Sequence, residues 1–332
     1  MVNVMQTTRF LMVAGALVGC GGGSGTGPGA GSGSDSTVCT DLVFQDKQPS
    51  TMWQGSVFTI VMENKSQAEI FGNANAPFIN ALANDNAVAS GYRDSLVHPS
   101  EPNYIRMVAG EAFGIRDDAD PRTNHIDVQG HIADQLEMQG MSWKSYQESM
   151  GAPCGLTSSS LYAAKHNPFV YFDDINGWDG KAFQPAGRCT EHVVDYSELD
   201  ADLASGKVPK YVFITPNLQN DMHDGSIAKG DAWLANEVPK ILSSDAFNHG
   251  GVLFLAWDES SPGSDDPPMI VISANAKRGF QSTVPYDAAS YLKTVEAMLG
   301  LQSLPCAATR DATTATMDDL FDVPLAAVAT TP

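Results

Sequence analysis

Positive charge is scarce in this sequence of 332 residues, which has 19 Lys and Arg side chains against 39 Asp and Glu and a formal net charge of −20. This acidic balance argues against nucleic acid and anionic membrane surfaces as electrostatic partners. Charged residues make up only 17% of the chain and hydrophobic residues 43%, which excludes a disordered chain or a coiled coil. Beyond residue 20 the chain has no apolar run long enough to span a bilayer and no Cys-x-x-Cys pair. The sequence therefore predicts a globular protein without a transmembrane bundle or a thioredoxin-type motif.

The long apolar stretch of the chain lies at the N-terminus, where Arg9 is followed by the run 10–19 and then by Cys20. A run of this length matches the apolar core of a secretory signal better than a membrane-spanning helix. Residues 17–20 resemble the cleavage site of bacterial lipoproteins, which leaves the cysteine lipidated. Residues 21–36 are almost wholly Gly and Ser, as in a flexible tether.

We therefore expect a signal peptide over residues 1–19, a tether over residues 20–37 with Cys20 lipidated, and a single folded domain over residues 38–332. The protein would be exported and held at the periplasmic or outer cell surface, with the lipid anchor as its membrane contact. The alternatives are an ordinary signal peptide and a buried helix with an inert Cys20.

Four cysteines remain in the expected mature chain, an even number that suits disulfides in an oxidising compartment. Four cysteines allow three connectivities, and the sequence does not choose among them. We favour Cys154–Cys189, which closes one insertion-like segment, and Cys39–Cys306, which joins the ends of the domain. Four free thiols are the alternative.

Short β-branched and aromatic runs alternate with helical patterns along the domain. Continuous apolar runs of this kind are typical of strands buried on both faces of a parallel sheet. The predicted strands are 57–62, 210–215, 251–257 and 269–273. The predicted helices are 76–84, 126–139, 232–243 and 288–299. The alternation predicts an α/β fold, a doubly wound and mostly parallel sheet sandwiched by helices.

Polar residues follow the predicted strands where they end. Glu63 and Asn64 follow the first strand, Asp258 and Glu259 follow the third, and a polar cluster occupies residues 217–224. In such sheets ligands bind outside the carboxyl ends of the strands, so these side chains should share a site. Their oxygens suit a hard divalent cation. The alternative for each pair is an ordinary turn or helix cap.

Ser100 is the candidate nucleophile. It precedes a predicted helix as an N-cap, with Pro102 in the first turn, and the positive end of a helix dipole favours a phosphate there. A cation held by the acidic cluster would acidify the Ser100 hydroxyl without a histidine base. Taken alone, Ser100 is a capping residue.

Four short motifs occur in a fixed order between about residues 58 and 301. They are Val61-Met-Glu-Asn-Lys65, His98-Pro-Ser-Glu-Pro-Asn-Tyr104, Pro216-Asn-Leu-Gln-Asn-Asp-Met-His-Asp224 and Trp257-Asp-Glu259. Together they resemble the bacterial phosphoesterase family that includes acid phosphatases and phospholipases C, within the alkaline phosphatase-like superfamily. The resemblance implies the fold of that superfamily and hydrolysis of phosphate esters.

The resemblance also implies roles for individual residues. One divalent metal ion (Mg²⁺, Ca²⁺, Mn²⁺ or Zn²⁺) would be held by Glu63, Asn64, Asp258 and Glu259. Ser100 would form a phospho-enzyme, and Asn103 would steady the phosphoryl oxygens. The leaving-group side would be lined by His223, as general acid, and Asp224. Substrate-binding roles fall to His166, which the family pattern also matches, and to Asp221, which is alternatively a metal or hydrogen-bond partner.

The sequence departs from the family pattern at Ala288, where relatives often have a histidine. A second metal would lose a ligand there, so we expect one metal ion. His125 and His131 match no motif and are expected to be surface or structural residues. Residues 140–205 are expected to form a small cap linked by a disulfide beside the site.

The sequence thus predicts an exported metal-dependent phosphatase acting on small phosphate monoesters, with no nucleic acid or protein partner implied. The alternatives are a phospholipase C or phosphodiesterase, and an inactive surface lipoprotein of the same fold that only binds. The monoesterase is preferred because no lipid-recognition domain or exposed apolar helix is evident in the sequence. The motif residues argue against the inactive form, and Ala288 argues for it.

Overall fold

A computed structural model describes residues 53–94, 97–128, 130–302, 304 and 314–325 of the chain. The expected signal peptide, its tether, Cys20 and the pair Cys39–Cys306 lie outside these residues. Among the described residues, no helix combines the length and apolar character needed to cross a membrane.

An eight-stranded, mostly parallel sheet forms the centre of the molecule, in the order β4-β3-β5-β1-β6-β7-β2-β8. The strands are β1 Val57–Met62, β2 Ala87–Ala89, β3 Trp143–Gln147, β4 Val193–Asp195, β5 Tyr211–Thr215, β6 Val252–Trp257, β7 Met269–Ile272 and β8 Gln281–Ser282. The antiparallel pairings are those of β7 with β6 and with β2. The four strands predicted from apolar runs are present, with ends shifted by at most one residue.

Ten α-helices surround the sheet in the part of the chain that is described. They are α1 Gln67–Ile70, α2 Pro77–Asp85, α3 Ser100–Ala109, α4 Ile132–Met138, α5 Asp173–Asn176, α6 Gly187–His192, α7 Glu198–Ser205, α8 Ile227–Leu242, α9 Asp245–Asn248 and α10 Ala288–Leu299. The helix predicted over residues 126–139 is shorter than expected. Ile126 forms a β-bridge with Phe172, and the helix starts only after Gly130, whose φ is 143°.

Two hydrophobic cores lie on opposite faces of the sheet because successive strand side chains alternate between faces. Val57 and Val61 belong to the core that also includes residues of α3 and α10. Phe58 and Ile60, from the same strand, belong to the core that includes residues of α2 and α8. The result is a three-layer α/β/α sandwich, as the sequence predicts.

Cys154 and Cys189 form a disulfide, which confirms that part of the expected pairing. The segment expected as a cap is smaller than residues 140–205. Its outer parts are strands β3 and β4 of the sheet, so only residues 148–192 lie between strands. The sequences of β3 and β4 are too short and too polar for their periodicity to predict a buried strand.

Candidate active site

The central strand β1 delivers the first two site residues. Every residue of β1 is buried, and Glu63, which follows it directly, is 0% exposed. Asn64 has a φ of 45°, a left-handed conformation that asparagine tolerates better than most residues. The chain therefore turns away from the strand and leaves the Glu63 carboxylate at the carboxyl edge of the sheet.

Strand β6 places two further carboxylates beside Glu63. It runs parallel to β1 with Trp257 opposite Met62, so the residues that follow the two strands are neighbours. Asp258 and Glu259 are both buried. The backbone N–H of Asn64 donates to Asp258 Oδ1 at 3.4 Å. The four residues predicted as metal ligands thus come together.

Three oxygens converge within this group. The side-chain oxygen of Asn64 lies 2.9 Å from Glu63 Oε2 and 3.0 Å from Glu259 Oε1. Turning the amide would let its nitrogen donate to both carboxylates, because amide orientation is assigned from hydrogen bonds. A cation among the oxygens would satisfy all three as they stand. Separations near 3 Å are those of neighbouring ligands in the octahedral shell of a small divalent cation.

Ser100 is buried at the start of helix α3 and faces Glu63. It is the first residue of the helix, and Pro99 is the N-cap, so the predicted capping role of Ser100 is wrong. Its hydroxyl instead donates to Glu63 Oε2 at 3.1 Å. The Ser100 side chain therefore points to the candidate metal ligands, at the positive end of the dipole of a ten-residue helix.

His166 joins Glu63 to Asp221 from the other side. It ends a short 3₁₀ turn, is 2% exposed, and stacks on Tyr104 with a centroid distance of 5.1 Å. Its Nε2 lies 3.1 Å from Glu63 Oε1, and its Nδ1 lies 3.4 Å from Asp221 Oδ2. Asp221 is also fully buried. Both residues lie within the buried cluster and not at its solvent-exposed edge.

His223 forms a dyad with Asp224 at the more open side of the site. Its Nδ1 lies 2.8 Å from Asp224 Oδ1, and its backbone N–H donates to Asp221 Oδ1 at 2.7 Å. The His223 side chain is 28% exposed, and its ring lies 5.6 Å from that of His166. A histidine held by a carboxylate at Nδ1 presents Nε2 to the site, as a general acid requires.

Asn103 and His98 both contact Glu259. The Asn103 amide donates to Glu259 Oε2 at 3.2 Å and to the Val97 carbonyl at 2.8 Å. His98 Nδ1 lies 2.7 Å from the same Glu259 oxygen. Sequence reasoning quoted His98 within a motif but gave it no role. Its place two residues before Ser100 was the available signal.

Burial shifts the pKa values of the cluster strongly. It raises the pKa of Glu63 to about 7 and that of Asp221 to about 7, and it raises the pKa of Asp258 well above its usual range. Burial also lowers the pKa of His166 to about 4. The protein alone therefore disfavours the carboxylate forms that this cluster needs to bind a cation, and a bound cation would reverse that preference, whereas His166 is already in the neutral form that binds metal.

Several buried polar atoms of the cluster lack a hydrogen bond of good geometry within the described residues, although three of them belong to the close contacts of His166 with Glu63 and Asp221. They are Glu63 Oε1, His166 Nε2, Asp221 Oδ2 and Asp258 Oδ2. Buried polar atoms are normally satisfied, so their concentration here fits a metal ion. Besides the predicted oxygen set, ligand atoms of Glu63, His166 and His223 lie within 4.8 Å of one another. Glu63 belongs to both groups.

Two residues that sequence reasoning missed stand at the edge of the site. Lys165 Nζ donates to Asp118 Oδ2 at 2.7 Å and lies 3.5 Å from His223 Nε2. No motif of the sequence analysis includes Asp118. Lys165 precedes His166 in a segment that the family pattern matches, which was the available signal.

The residues expected to lie outside the site do so. His125 pairs with Asp173 near the surface. His131 is fully buried and contacts Asp134 and Asp174, as a structural histidine does. Ala288 begins α10, where the family often has histidine.

Solved structures share this fold at low sequence identity. A phosphonate monoester hydrolase from Silicibacter pomeroyi superimposes with a TM-score of 0.51 at 11% identity, covering 84% of this chain and 78% of the other. The two chains share an α/β/α fold with a mostly parallel sheet. This fold and the acidic residues after β1 and β6 define an α/β protein with a polar site at the carboxyl edge of its sheet.

The sequence matches the Phosphoesterase family over residues 44–263, and the chain belongs to that family. It is 33% identical over 254 residues to a phosphatidylinositol-3-phosphatase of Mycobacterium tuberculosis strain H37Rv, covering 74% of this chain and 77% of that protein. It is 29% identical over 214 residues to a probable acid phosphatase of Kluyveromyces lactis, covering 61% of this chain. The match spans 47% of the length of the yeast protein.

Proposed function

We propose that this protein is an exported, metal-dependent phosphatase that hydrolyses phosphate monoesters through a phosphoserine at Ser100. The observation that carries the proposal is the 3.1 Å hydrogen bond from the Ser100 hydroxyl to Glu63. It joins a hydroxyl at a helix N-terminus to a cluster of buried carboxylates. A capping or purely structural serine would have no reason to face that cluster.

Glu63, Asn64, Asp258 and Glu259 would hold one divalent cation, and His166 with His223 are the alternative partners of Glu63. The cation supplies Lewis-acid polarisation of the phosphoryl group and acidifies the Ser100 hydroxyl. The burial of Glu63, Asp258 and Glu259 together at the carboxyl edge of the sheet supports this ligand set.

Ser100 and His223 perform the transfer. After losing its proton to water, Ser100 Oγ forms a bond to phosphorus while the bond from phosphorus to the ester oxygen breaks. His223 Nε2 gives a proton to the departing alcohol, and Asp224 steadies the imidazolium form until then. His223 next takes a proton from the water that attacks the phosphoserine, while the bond from phosphorus to Ser100 Oγ breaks, its electron pair stays on Oγ, and Oγ regains a proton from water. Asn103 would stabilise charge on the phosphoryl oxygens on giving up its bond to Glu259, together with the N-terminus of α3.

The direct test is hydrolysis of p-nitrophenyl phosphate by the wild type and by Ser100→Ala. We expect chelation to remove turnover and single-metal addition to restore it, and the substitution to lower kcat by more than about a thousandfold. Acid-quenched wild type should contain a phosphoserine at residue 100 in its peptide mass spectrum. Substantial turnover by Ser100→Ala would refute the nucleophile assignment.

Ser290→Ala is the matched control, because Ser290 is also a buried serine in the first turn of a helix. Its loss should cost about 0.5–2 kcal/mol of stability through the cap of α10. Turnover per folded molecule should be unchanged. Equal losses of turnover in both variants would indicate a structural cause.

A second candidate substrate is a phosphomonoester on a lipid headgroup, favoured by the similarity to the mycobacterial phosphatidylinositol-3-phosphatase. Comparing a soluble phosphatidylinositol 3-phosphate, bis-p-nitrophenyl phosphate and p-nitrophenyl phosphate separates the classes. Faster turnover of the diester would support the phosphodiesterase or phospholipase C alternative. Binding without turnover of any of them would support the inactive binding protein.

Export and anchoring are proposed from the sequence of residues 1–37. The arrangement of an apolar run, Cys20 and a Gly/Ser-rich stretch supports them. Cys20→Ala in the full chain should move the protein from the membrane fraction to the soluble fraction. An unchanged distribution would contradict lipidation at Cys20.

A further inference from the structure

Lys165 carries a positive charge at the edge of an acidic site. Its Nζ donates to Asp118 Oδ2 at 2.7 Å and lies 3.5 Å from His223 Nε2. The Lys165 and Asp118 side chains are only 21% and 26% exposed. Two nitrogens at this separation, both donors when protonated, leave room for one oxygen that accepts from both.

Asp118 fixes this ammonium group relative to the nucleophile. Its Oδ1 accepts from the backbone N–H of Glu101 at 3.1 Å, and Glu101 follows Ser100 at the start of α3. Asp118 thus bridges the helix that carries the nucleophile and the side chain of Lys165. The ammonium group cannot swing away without giving up a charged hydrogen bond.

Lys165 and Asp118 form a half-buried ion pair beside the acidic cluster. Glu63, Asp221, Asp258 and Glu259 place four carboxyl groups in the cluster. The two positive charges of one divalent cation are fewer than the negative charges of these carboxylates and a phosphate dianion together. A further positive charge near the substrate would therefore reduce the repulsion.

A small cavity opens beside this ammonium group. It has a volume of about 260 Å³, and its lining includes Asp118, Ser158, Tyr162, Lys165, Leu218 and His223. His223 and Lys165 both belong to the lining, so the cavity lies on the leaving-group side of the proposed reaction. Its size and mixed lining fit the organic part of a small ester.

We infer that Lys165 is a further substrate-contacting residue, whose ammonium group donates a hydrogen bond to the ester oxygen of the departing alcohol beside His223. The inference rests on the proposed phosphatase function. When the bond from phosphorus to that oxygen breaks, its electron pair stays on the oxygen. His223 Nε2 supplies the proton, and Lys165 keeps its own proton while stabilising the developing negative charge.

Two esters with the same phosphoryl group and different leaving groups test this contact. The metal-loaded full chain and its Lys165→Met variant are assayed with p-nitrophenyl phosphate and with phenyl phosphate, whose leaving oxygen is more basic. Loss of a charged hydrogen bond should lower kcat/KM about tenfold for the nitrophenyl ester and about a hundredfold for the phenyl ester. Lys165→Arg should restore much of both.

Lys144→Met is the matched control. Lys144 also bonds an aspartate at 2.7 Å, Asp202, and its side chain is 22% exposed, but its partners lie on α7. Its variant should turn over both esters within about twofold of the wild type, as expected for a surface ion pair.

The ratio of kcat/KM for the two esters is independent of the folded fraction, so it remains informative if Lys165→Met is less stable. Equal losses on both esters, or no loss, would overturn the Lys165 contact while leaving the phosphatase proposal intact. A metal-loaded wild type that hydrolyses neither ester would overturn the proposed function and this inference together.

Discussion

Two groups of histidine and carboxylate side chains within the described residues have similar spacing and opposite character. One is the active-site group of Glu63, His166 and His223, and the other is the group of His131, Asp134 and Asp174. In each, a buried histidine lies within about 3.5 Å of two carboxylates. Composition and spacing alone would mark both as metal sites.

The presence of an arginine partner separates the two groups. Arg188 lies 2.6 Å from Asp134 Oδ1, 2.5 Å from Asp174 Oδ2 and 3.0 Å from Glu137 Oε1, so one guanidinium satisfies that whole acidic group. Arginine suits this role because its planar fork binds carboxylates in fixed geometry. In the active-site group, buried oxygens of Glu63 and Asp258 lack hydrogen bonds. Carboxylates that lack a lysine or arginine partner, rather than carboxylates beside a histidine, indicate the candidate cation site.

The largest effect should follow from Glu63→Gln, which removes the residue shared by both candidate ligand sets. We expect kcat/KM to fall by more than about a thousandfold, because ligand and nucleophile contact are lost together. The melting temperature of the metal-free protein should not fall, since a buried carboxylate is removed. Asp134→Asn is the control: it should lower stability and leave kcat near that of the wild type. Comparable losses of kcat in both would erase the distinction between the groups.

Arg188→Met should act on stability alone. Removing the guanidinium leaves Asp134 and Asp174 without their cation, which should lower the free energy of unfolding by about 2–4 kcal/mol. The Arg188 side chain is 23% exposed, so the cost should fall below that of a fully buried pair. Urea unfolding measures it, with kcat per folded molecule as the second readout. A large loss of kcat at unchanged stability would contradict the structural role.

Metal addition should stabilise the protein through the active-site group only. A divalent cation at a hundred times its dissociation constant should raise the free energy of unfolding by about 2.7 kcal/mol in the chelated wild type. Arg188→Met should keep this increment, and Glu63→Gln should lose it. An increment retained by Glu63→Gln would place the cation elsewhere.

Glu137→Gln should have the smallest effect. Its side chain is 36% exposed and forms the outermost of the three ion pairs of Arg188. Exposed ion pairs contribute little, so the free energy of unfolding should change by less than about 1 kcal/mol. A loss near that of Arg188→Met would show that the network acts as one unit.

The sheet and much of the site could be predicted because both depend on local signals. Continuous apolar runs identified β1, β5, β6 and β7, and the rule that ligands bind beyond strand ends gathered Glu63, Asn64 and Asp258. The strands β2 and β8 have three residues and two residues, too few for any period to show. Their place in the sheet depends on pairing with strands that are distant in sequence.

Residues that act through distant partners could not be predicted. Asp118 and Lys165 are 47 positions apart, and neither belongs to a strand end or a repeated spacing. His131 was predicted as a surface or structural residue without its network, because Arg188, which pairs with Asp134 beside it, is 54 positions from that aspartate. Ser100 was predicted as the N-cap, but it is the first residue of the helix and Pro99 is the N-cap. Sequence does not distinguish an N-cap from a first helical residue at a helix boundary.

The candidate metal ligands come from opposite ends of the domain, with Asn64 and Asp258 separated by 194 positions. During synthesis the first pair of ligands exists long before the second, and the cluster is complete only when β6 has docked beside β1. On the proposed ligand set, capture of the metal and completion of the fold are therefore one event. On the same proposal, the compartment in which the chain finishes folding, rather than the one in which it is made, would decide which metal it acquires.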